Sequence, residues 1–191
     1  MTVYTCAAYT TAADICDGGK ERTEALLQRL GLGLNDWASM QLIMRELGLS
    51  DTLFSFCKVK KGCEKEAQKV LRAFITHCVG RASSFIGLTR MDLASQLVNA
   101  NKAINKRMAG IHRPAYLLQE YKAVSRLHVN EFEPHVKFWL DVYRCALSDK
   151  PEHLIATHAG IAMMDGAAVL NFRPQMHKAL CDKLNELLGP E

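Results

Sequence analysis

Apolar residues recur every three or four positions through most of the chain, which places them on one face of an α-helix. The clearest example is the segment 63–85, whose apolar residues fall within a stripe about 120° wide. They are Ala67, Val70, Leu71, Phe74, Cys78, Ala82 and Phe85. Lys65, Lys69 and Arg72 lie on the opposite side of the same wheel. The pattern predicts a long amphipathic helix.

Similar spacing predicts helices over most of the remaining chain. The segments are about 20–30, 35–47, 91–108, 114–127, 134–148, 151–164 and 174–188. The chain is therefore predicted to be all-α, a compact bundle of about seven or eight helices in a single domain spanning residues 1–191. The aromatic segment 53–59 fits a short strand as well as a helix, because β-propensity is high there.

Glycine, proline and capping residues mark the ends of these segments. Asn35 and Thr89 are placed to cap the second helix and the helix that starts at Met91. Pro114, Pro134, Pro151 and Pro174 stand where a proline is tolerated, in the first turn of a helix. These residues set the predicted boundaries.

The composition indicates a globular chain from a reducing compartment. Apolar residues make up 49% of the chain, enough for a packed core, and seven cysteines lack zinc-ligand or disulfide-framework spacing. The N-terminal residues lack the positive n-region of a signal peptide, and no apolar run reaches membrane-spanning length. We expect reduced thiols and a cytoplasmic location, with no membrane contact.

Charge is unevenly distributed along the sequence. Residues 58–126 contain 14 Lys and Arg against four acids, whereas the flanking segments 1–57 and 127–191 are both slightly acidic. A basic middle between acidic ends favours a polyanionic or acidic partner, and solvated helix faces are the alternative explanation.

The stretch from Met40 to Val59 contains IMRELGLSDTLFSF, which resembles the helix-turn-helix DNA-binding motif over about 20 residues. In that motif a first helix ends in Leu-Gly-hydrophobic-Ser and a recognition helix follows. The resemblance implies that Ser50 caps a recognition helix and that Asp51, Thr52 and Ser55 face the major groove. An ordinary helix, glycine turn and packed aromatic segment is the alternative.

A second stretch, from Thr89 to Gly110, resembles the same motif in length and in the Leu93, Ala94 and Ile104 positions. Val98 and Asn99 stand where the turn should be, and the apolar stripe continues through them. One straight helix is therefore predicted, with Lys102 and Lys106 facing outward.

Two Arg and His pairs, Arg72 with His77 and Arg107 with His112, have the R-x4-H spacing of helical HEPN-type ribonucleases. An Arg there would hold a phosphate while a His transfers a proton. In a regular helix five residues turn through about 500°, which separates Arg72 from His77 around the helix. The ribonuclease hypothesis is therefore the weaker one.

No motif indicates a cofactor or a metal. His153 and His158 lack the i, i+4 spacing of a helical zinc site, and no phosphate-binding or nucleophile-elbow glycine motif occurs. His128 and His135 flank Glu131 and Glu133, where a polar connection is the simpler interpretation. We expect no cofactor, no metal and no catalytic residues.

The basic residues of the middle segment give the most specific functional hypothesis. Lysines on one face displace counterions from a phosphate backbone without reading bases. The predicted nucleic-acid-binding residues are Lys58, Lys60, Lys61, Lys65, Lys69, Arg72, Lys102, Lys106 and Arg113. A non-enzymatic regulatory or accessory protein that binds DNA or RNA is the favoured function. A helical adaptor or inhibitor that binds an acidic protein partner is the alternative.

Overall fold

A computed structural model describes residues 4–6, 17–33 and 36–190 of the chain. Within this part the protein has ten helices and one two-stranded sheet, so the all-α prediction is confirmed. The elements are β1 Tyr4–Cys6, α1 Asp17–Leu30, β2 Trp37–Ser39, α2 Met40–Leu47, α3 Leu49–Ser55, α4 Glu64–Thr89, α5 Met91–Gln96, α6 Val98–Met108, α7 Pro114–Asn130, α8 Pro134–Leu147, α9 Glu152–Val169 and α10 Arg173–Leu188.

The chain forms two compact units. The first contains residues 1–71 and 180–191, and the second contains residues 72–179. Helices α4 and α10 each continue from one unit into the other.

In the first unit, β1 pairs antiparallel with β2, with Thr5 opposite Ala38. Thr5 is buried, and its hydroxyl oxygen lies 2.8 Å from the carbonyl oxygens of Ser55 and Lys58. Val59 forms an isolated bridge with Thr5, whereas residues 49–55 are helical. Of the short strand predicted as possible for residues 53–59, the structure has one bridging residue, Val59.

Helix α2 starts later than the sequence pattern indicates. Residues 37–39 belong to β2, and the Ser39 side chain accepts the Leu42 amide at 3.1 Å, so Ser39 is the N-cap. The predicted cap, Asn35, lies outside the described residues. Helical periodicity could not separate these residues from α2, because three residues are too few to distinguish a strand period of 2 from a helical period of 3.6.

The second unit is built around α8, which packs against α7 and α9. Trp139, Leu140 and Tyr143 of α8 are fully buried, and α9 offers mostly small residues to its neighbours. Small side chains let helix backbones approach closely, so the large residues of α8 fill the space that remains. The Phe85 ring stacks on Trp139 with centroids 4.8 Å apart.

Two boundaries differ from the predicted ones. Thr89 ends α4 instead of capping the next helix, and its hydroxyl donates to the Phe85 carbonyl at 2.9 Å. The N-cap of α5 is Arg90, and Leu97 separates α5 from α6, so the single straight helix over 91–108 is wrong. Pro114, Pro134 and Pro174 do occupy the first turns of α7, α8 and α10, whereas Pro151 is the N-cap that precedes α9.

The structure describes five of the seven cysteine side chains. Cys57, Cys63, Cys78, Cys145 and Cys181 are thiols in the structure. Within the described ranges, none of the helices combines the length and the apolar character that crossing a bilayer requires. Cys6 and Cys16 lie outside the residues whose side chains are described.

Candidate functional site

The helix-turn-helix resemblance around Gly48 does not produce a DNA-reading surface. Helices α2 and α3 are joined at Gly48, which has a φ of 86°. Gly48, and not the predicted Ser50, is the N-cap of α3, and Ser50 lies inside the helix. The side chains expected in the major groove, Asp51, Thr52 and Ser55, are instead buried. That part of the prediction is wrong, because this face of α3 packs inward.

Each of these three residues has a structural contact. The Asp51 carboxylate accepts hydrogen bonds from the Arg22 guanidinium at 3.0 to 3.2 Å. Burial raises the pKa of Asp51, and the Arg22 guanidinium opposes that rise. Thr52 donates to the Gly48 carbonyl at 2.7 Å, and the Ser55 hydroxyl lies 2.9 Å from the Met40 sulfur. Such contacts stabilise the α2 and α3 pair and leave no free donor for a base.

The basic run in the first unit is solvent-exposed, as a phosphate-binding site requires. Its exposed members are Lys58, Lys60, Lys61, Lys65 and Lys69. The Lys60 ammonium lies over the Tyr4 ring, 5.3 Å from its centroid. The Lys69 ammonium is 3.8 Å from the Glu66 carboxylate, and Glu64 is exposed one turn away. Nearby carboxylates reduce the positive potential of this run.

Arg72, in the second unit, has a different environment. Its guanidinium donates to Glu152 at 2.8 Å and to the Met108 carbonyl at 3.2 Å. Both side chains of this ion pair are largely buried, with exposed fractions of 24% and 19%. Arg72 therefore joins the start of α9 to the end of α6, and its donors point at protein acceptors.

Helices α6 and α7 and the turn between them carry five exposed basic residues. The exposed cations between Val98 and Asn130 are Lys102, Lys106, Arg113, Lys122 and Arg126. The only acid in this stretch is Glu120, which is 5% exposed. Within the described part of the chain, no ion pair links these five cations to a carboxylate. This set is hereafter called the α6–α7 basic face.

Local contacts hold the α6–α7 basic face in place. The Tyr116 hydroxyl donates to the Asn99 carbonyl at 3.3 Å, and the Lys106 ammonium lies 5.8 Å from the Tyr116 ring centroid. Leu117 and Val124 are buried on the inner side of α7. Lys122 and Arg126, four residues apart, consequently share the outer side. Sequence analysis missed both as site residues, although their i, i+4 spacing without a neighbouring exposed acid was a usable signal.

Two grooves run beside this face. A groove of about 430 Å³ follows the outer side of α7, and its lining residues are Ala115, Leu118, Gln119, Lys122, Ala123 and Arg126. A second groove of about 640 Å³ shares Ala115 and Leu118 with the first and extends to residues 147–150. Its lining combines apolar side chains with His112 and Lys150, and Asp149 is the acid at its edge.

The arginines of the two R-x4-H pairs, Arg72 and Arg107, donate hydrogen bonds to other protein groups. Arg107 is buried, and its guanidinium donates to the carbonyls of Ala146, Ser148 and Lys150. Burial lowers the pKa of Arg107, and Glu152 and Asp149 act in the opposite direction. His112, the histidine of this R-x4-H pair, is exposed, whereas the Arg107 guanidinium is hydrogen-bonded at the C-terminal end of α8. Neither Arg72 nor Arg107 presents a free guanidinium to a phosphate.

The histidines near α8 pair with separate carboxylates. His128 Nε2 is 3.3 Å from Asp141, and His135 Nε2 is 3.1 Å from Glu133. Among the residues that the structure describes, no three His, Cys, Asp or Glu side chains converge as metal ligands.

Geometry alone therefore distinguishes the α6–α7 basic face from the other sites. No protein-family model matches the chain, and neither a curated protein nor a solved structure matches it.

Proposed function

We propose that this protein binds nucleic acid through the α6–α7 basic face and acts as a non-enzymatic regulatory or accessory factor. The observation that supports it is the set of five exposed cations on α6, on α7 and in the turn between them, with the single acid of the stretch buried. Three of the predicted binding residues in the second unit belong to this set, namely Lys102 and Lys106 on α6 and Arg113 at the N-cap of α7.

Uncompensated cations favour a phosphate backbone for a physical reason. Each lysine or arginine that neutralises a phosphate releases condensed counterions, and the entropy of that release drives binding. A cation already paired with a carboxylate gains less, because the new contact replaces an existing one. The α6–α7 basic face consequently suits a polyanion better than Arg72 does, and better than Lys69 beside Glu66.

The α7 groove adds a place for the less polar parts of a nucleotide. Leu118 is about half exposed and lines the groove together with Lys122 and Arg126. Side chains of this kind contact sugars and base faces without selecting a sequence. Binding is therefore expected to depend on salt and to show little sequence preference.

A fluorescence-anisotropy titration with labelled 20-nucleotide RNA and DNA probes tests the proposal across salt concentrations. The triple variant K102Q/K106Q/K122Q should weaken binding to every probe. Each lost phosphate contact lowers the log–log salt slope by roughly 0.7 to 0.9, so the slope should fall by about two to three units. Glutamine propagates helix almost as well as lysine, and these side chains are exposed, so the fold should persist.

A matched control separates local contacts from net charge. The variant K58Q/K60Q/K61Q also removes three exposed cations, but from the first unit. Its slope should change much less. If the salt slope of this control variant fell by as much or more, the phosphate-binding site would lie in the basic run of the first unit.

Two other results would contradict the proposal. Absence of measurable affinity for RNA and DNA at low salt would remove nucleic acid as the ligand. Equal affinity for polyglutamate of the same charge would instead favour an acidic protein partner, because backbone charge alone would then account for binding.

A further inference from the structure

Four strongly exposed apolar residues flank, in the sequence, the two partners of one ion pair near the C-terminal end of α7. They are Leu88 at 84%, Met91 at 80%, Val129 at 75% and Phe132 at 91% exposure. The Arg90 guanidinium contacts the Glu131 carboxylate, which brings the α4–α5 turn beside the α7–α8 turn. Each partner of this ion pair thus has an exposed apolar residue two positions before it and one position after it. The four residues are called the Phe132 cluster.

The backbone beneath the Phe132 cluster is held firmly. Glu131 is buried, and its carboxylate accepts the amides of Phe132 and Glu133 at 2.8 and 3.0 Å. Arg90 also donates to Asp92 at 2.8 and 2.9 Å. The exposure of Phe132 is therefore a fixed feature of the turn. Large apolar side chains grouped on a monomer surface usually mark a contact with another molecule, and a preorganised turn lowers the entropic cost of that contact.

The charges around the Phe132 cluster identify a complementary occupant. Arg126 lies one helical turn before Val129 on the outer side of α7 and supplies a basic edge. Glu133 and Asp92, about half exposed, follow on the α8 and α5 sides, where Glu133 lies beside His135 and Asp92 beside Arg90. Arg90 also contacts Glu131, so three carboxylates outnumber this one guanidinium and the edge is acidic. A surface with an apolar centre, one basic edge and one acidic edge is complementary to itself after a two-fold rotation.

We infer that the Phe132 cluster is a homodimer interface occupied by the same cluster of a second copy of this chain. The two-fold contact buries eight apolar side chains and places Arg126 of each copy near the acidic edge of the other. A purely anionic partner would be repelled by Asp92 and Glu133. A purely cationic partner would be repelled by Arg126.

Sedimentation velocity across protein concentrations from about 1 to 200 µM tests this inference. Wild-type protein should pass from monomer to dimer, and Phe132→Ser should raise the dimer Kd at least tenfold, because each dimer loses two anchors. Ile111→Ser is the matched control, since Ile111 is 71% exposed but lies between α6 and α7. It should leave the Kd unchanged. Circular dichroism of each variant checks that the helices persist.

Charge reversal tests the symmetry itself. Arg126→Glu or Glu133→Arg alone should weaken the dimer, and the double variant should recover affinity, because a two-fold contact restores opposite charges across the interface. A wild type that stays monomeric to 200 µM would overturn the inference. A dimer that ignores Phe132→Ser would overturn it too, since that dimer would use another face. Neither outcome depends on nucleic-acid binding, which is measured separately with variants of other residues.

Discussion

Gly166 of α9 lies against the indole ring of Trp139 in α8. A Cβ atom at position 166 would stand 2.6 Å from Trp139 Nε1 and 2.9 Å from its Cδ1, closer than real side chains allow. The His135 carbonyl oxygen would be 3.3 Å away on the other side. Because Phe85 stacks on the indole, the ring has little room to move.

Gly166→Ala should therefore destabilise the protein, although alanine normally favours a helix. Overpacking a tight core typically costs about 1 to 3 kcal/mol. Gly80→Ala is the control, because Gly80 lies within α4 and a Cβ there meets nothing within 4 Å. That change should stabilise by roughly 0.5 to 1 kcal/mol. Urea unfolding measures both effects, and equal stability of the two variants would contradict the packing explanation.

Glu131 should make the free energy of unfolding decrease as the pH falls into the acid range. Burial alone would raise its pKa, but the amides of Glu133 and Phe132 and the Arg90 guanidinium outweigh it, so the pKa of Glu131 lies below the ordinary value for a glutamate. A carboxyl with a lowered folded-state pKa contributes stability that is present above its unfolded pKa and is lost as pH falls. The contribution should be complete above about pH 5 and should disappear as pH falls through the lowered pKa.

Glu131→Gln should lower stability at pH 7 and flatten the fall in stability between pH 5 and 3. Unfolding free energies from urea titrations at several pH values measure the slope. Glu133→Gln, at the exposed carboxylate two positions later, serves as the control. An unchanged acid slope in the Glu131 variant would show that other carboxylates account for the acid dependence.

Arg72 should act in stability and not in nucleic-acid binding. Arg72→Gln leaves the partly buried Glu152 without its ionic partner and should cost about 1 to 3 kcal/mol. The salt dependence of binding should stay at the wild-type slope, because this guanidinium is already engaged. Anisotropy titrations of the folded variant measure this slope. A fall in the log–log salt slope of roughly 0.7 to 0.9, the amount of one phosphate contact, would contradict the prediction.

Cys78 and Cys145 should react slowly with alkylating reagents in the folded protein. Burial raises the pKa of Cys78 to about 12 and that of Cys145 to about 11, with nearby charges contributing less. Since the thiolate is the nucleophile, little reactive form exists at pH 8. Mass spectrometry after timed iodoacetamide treatment should show these two sites protected, and denaturation without reductant should expose seven thiols. Native alkylation at the denatured rate would contradict their burial.

The secondary structure of the long segments could be predicted from local information. The stripe from Ala67 to Phe85 and the prolines at 114 and 134 specify helices, because the apolar period and the fixed proline φ act within a few residues. Prediction failed at Leu97 and at residues 37–39, where neighbouring elements decide whether a short segment continues a helix, ends it or pairs as a strand.

The basic character of the middle segment was determined by the sequence, but its distribution was not. Periodicity identifies an apolar side of a helix, yet it does not say which polar residues that side will cover. Only the tertiary structure buries Asp51 against Arg22, engages Arg72 with Glu152 and leaves Lys122 and Arg126 without a carboxylate. Ion pairs between residues 29 or 80 positions apart depend on how the helices pack, and no local pattern encodes that packing.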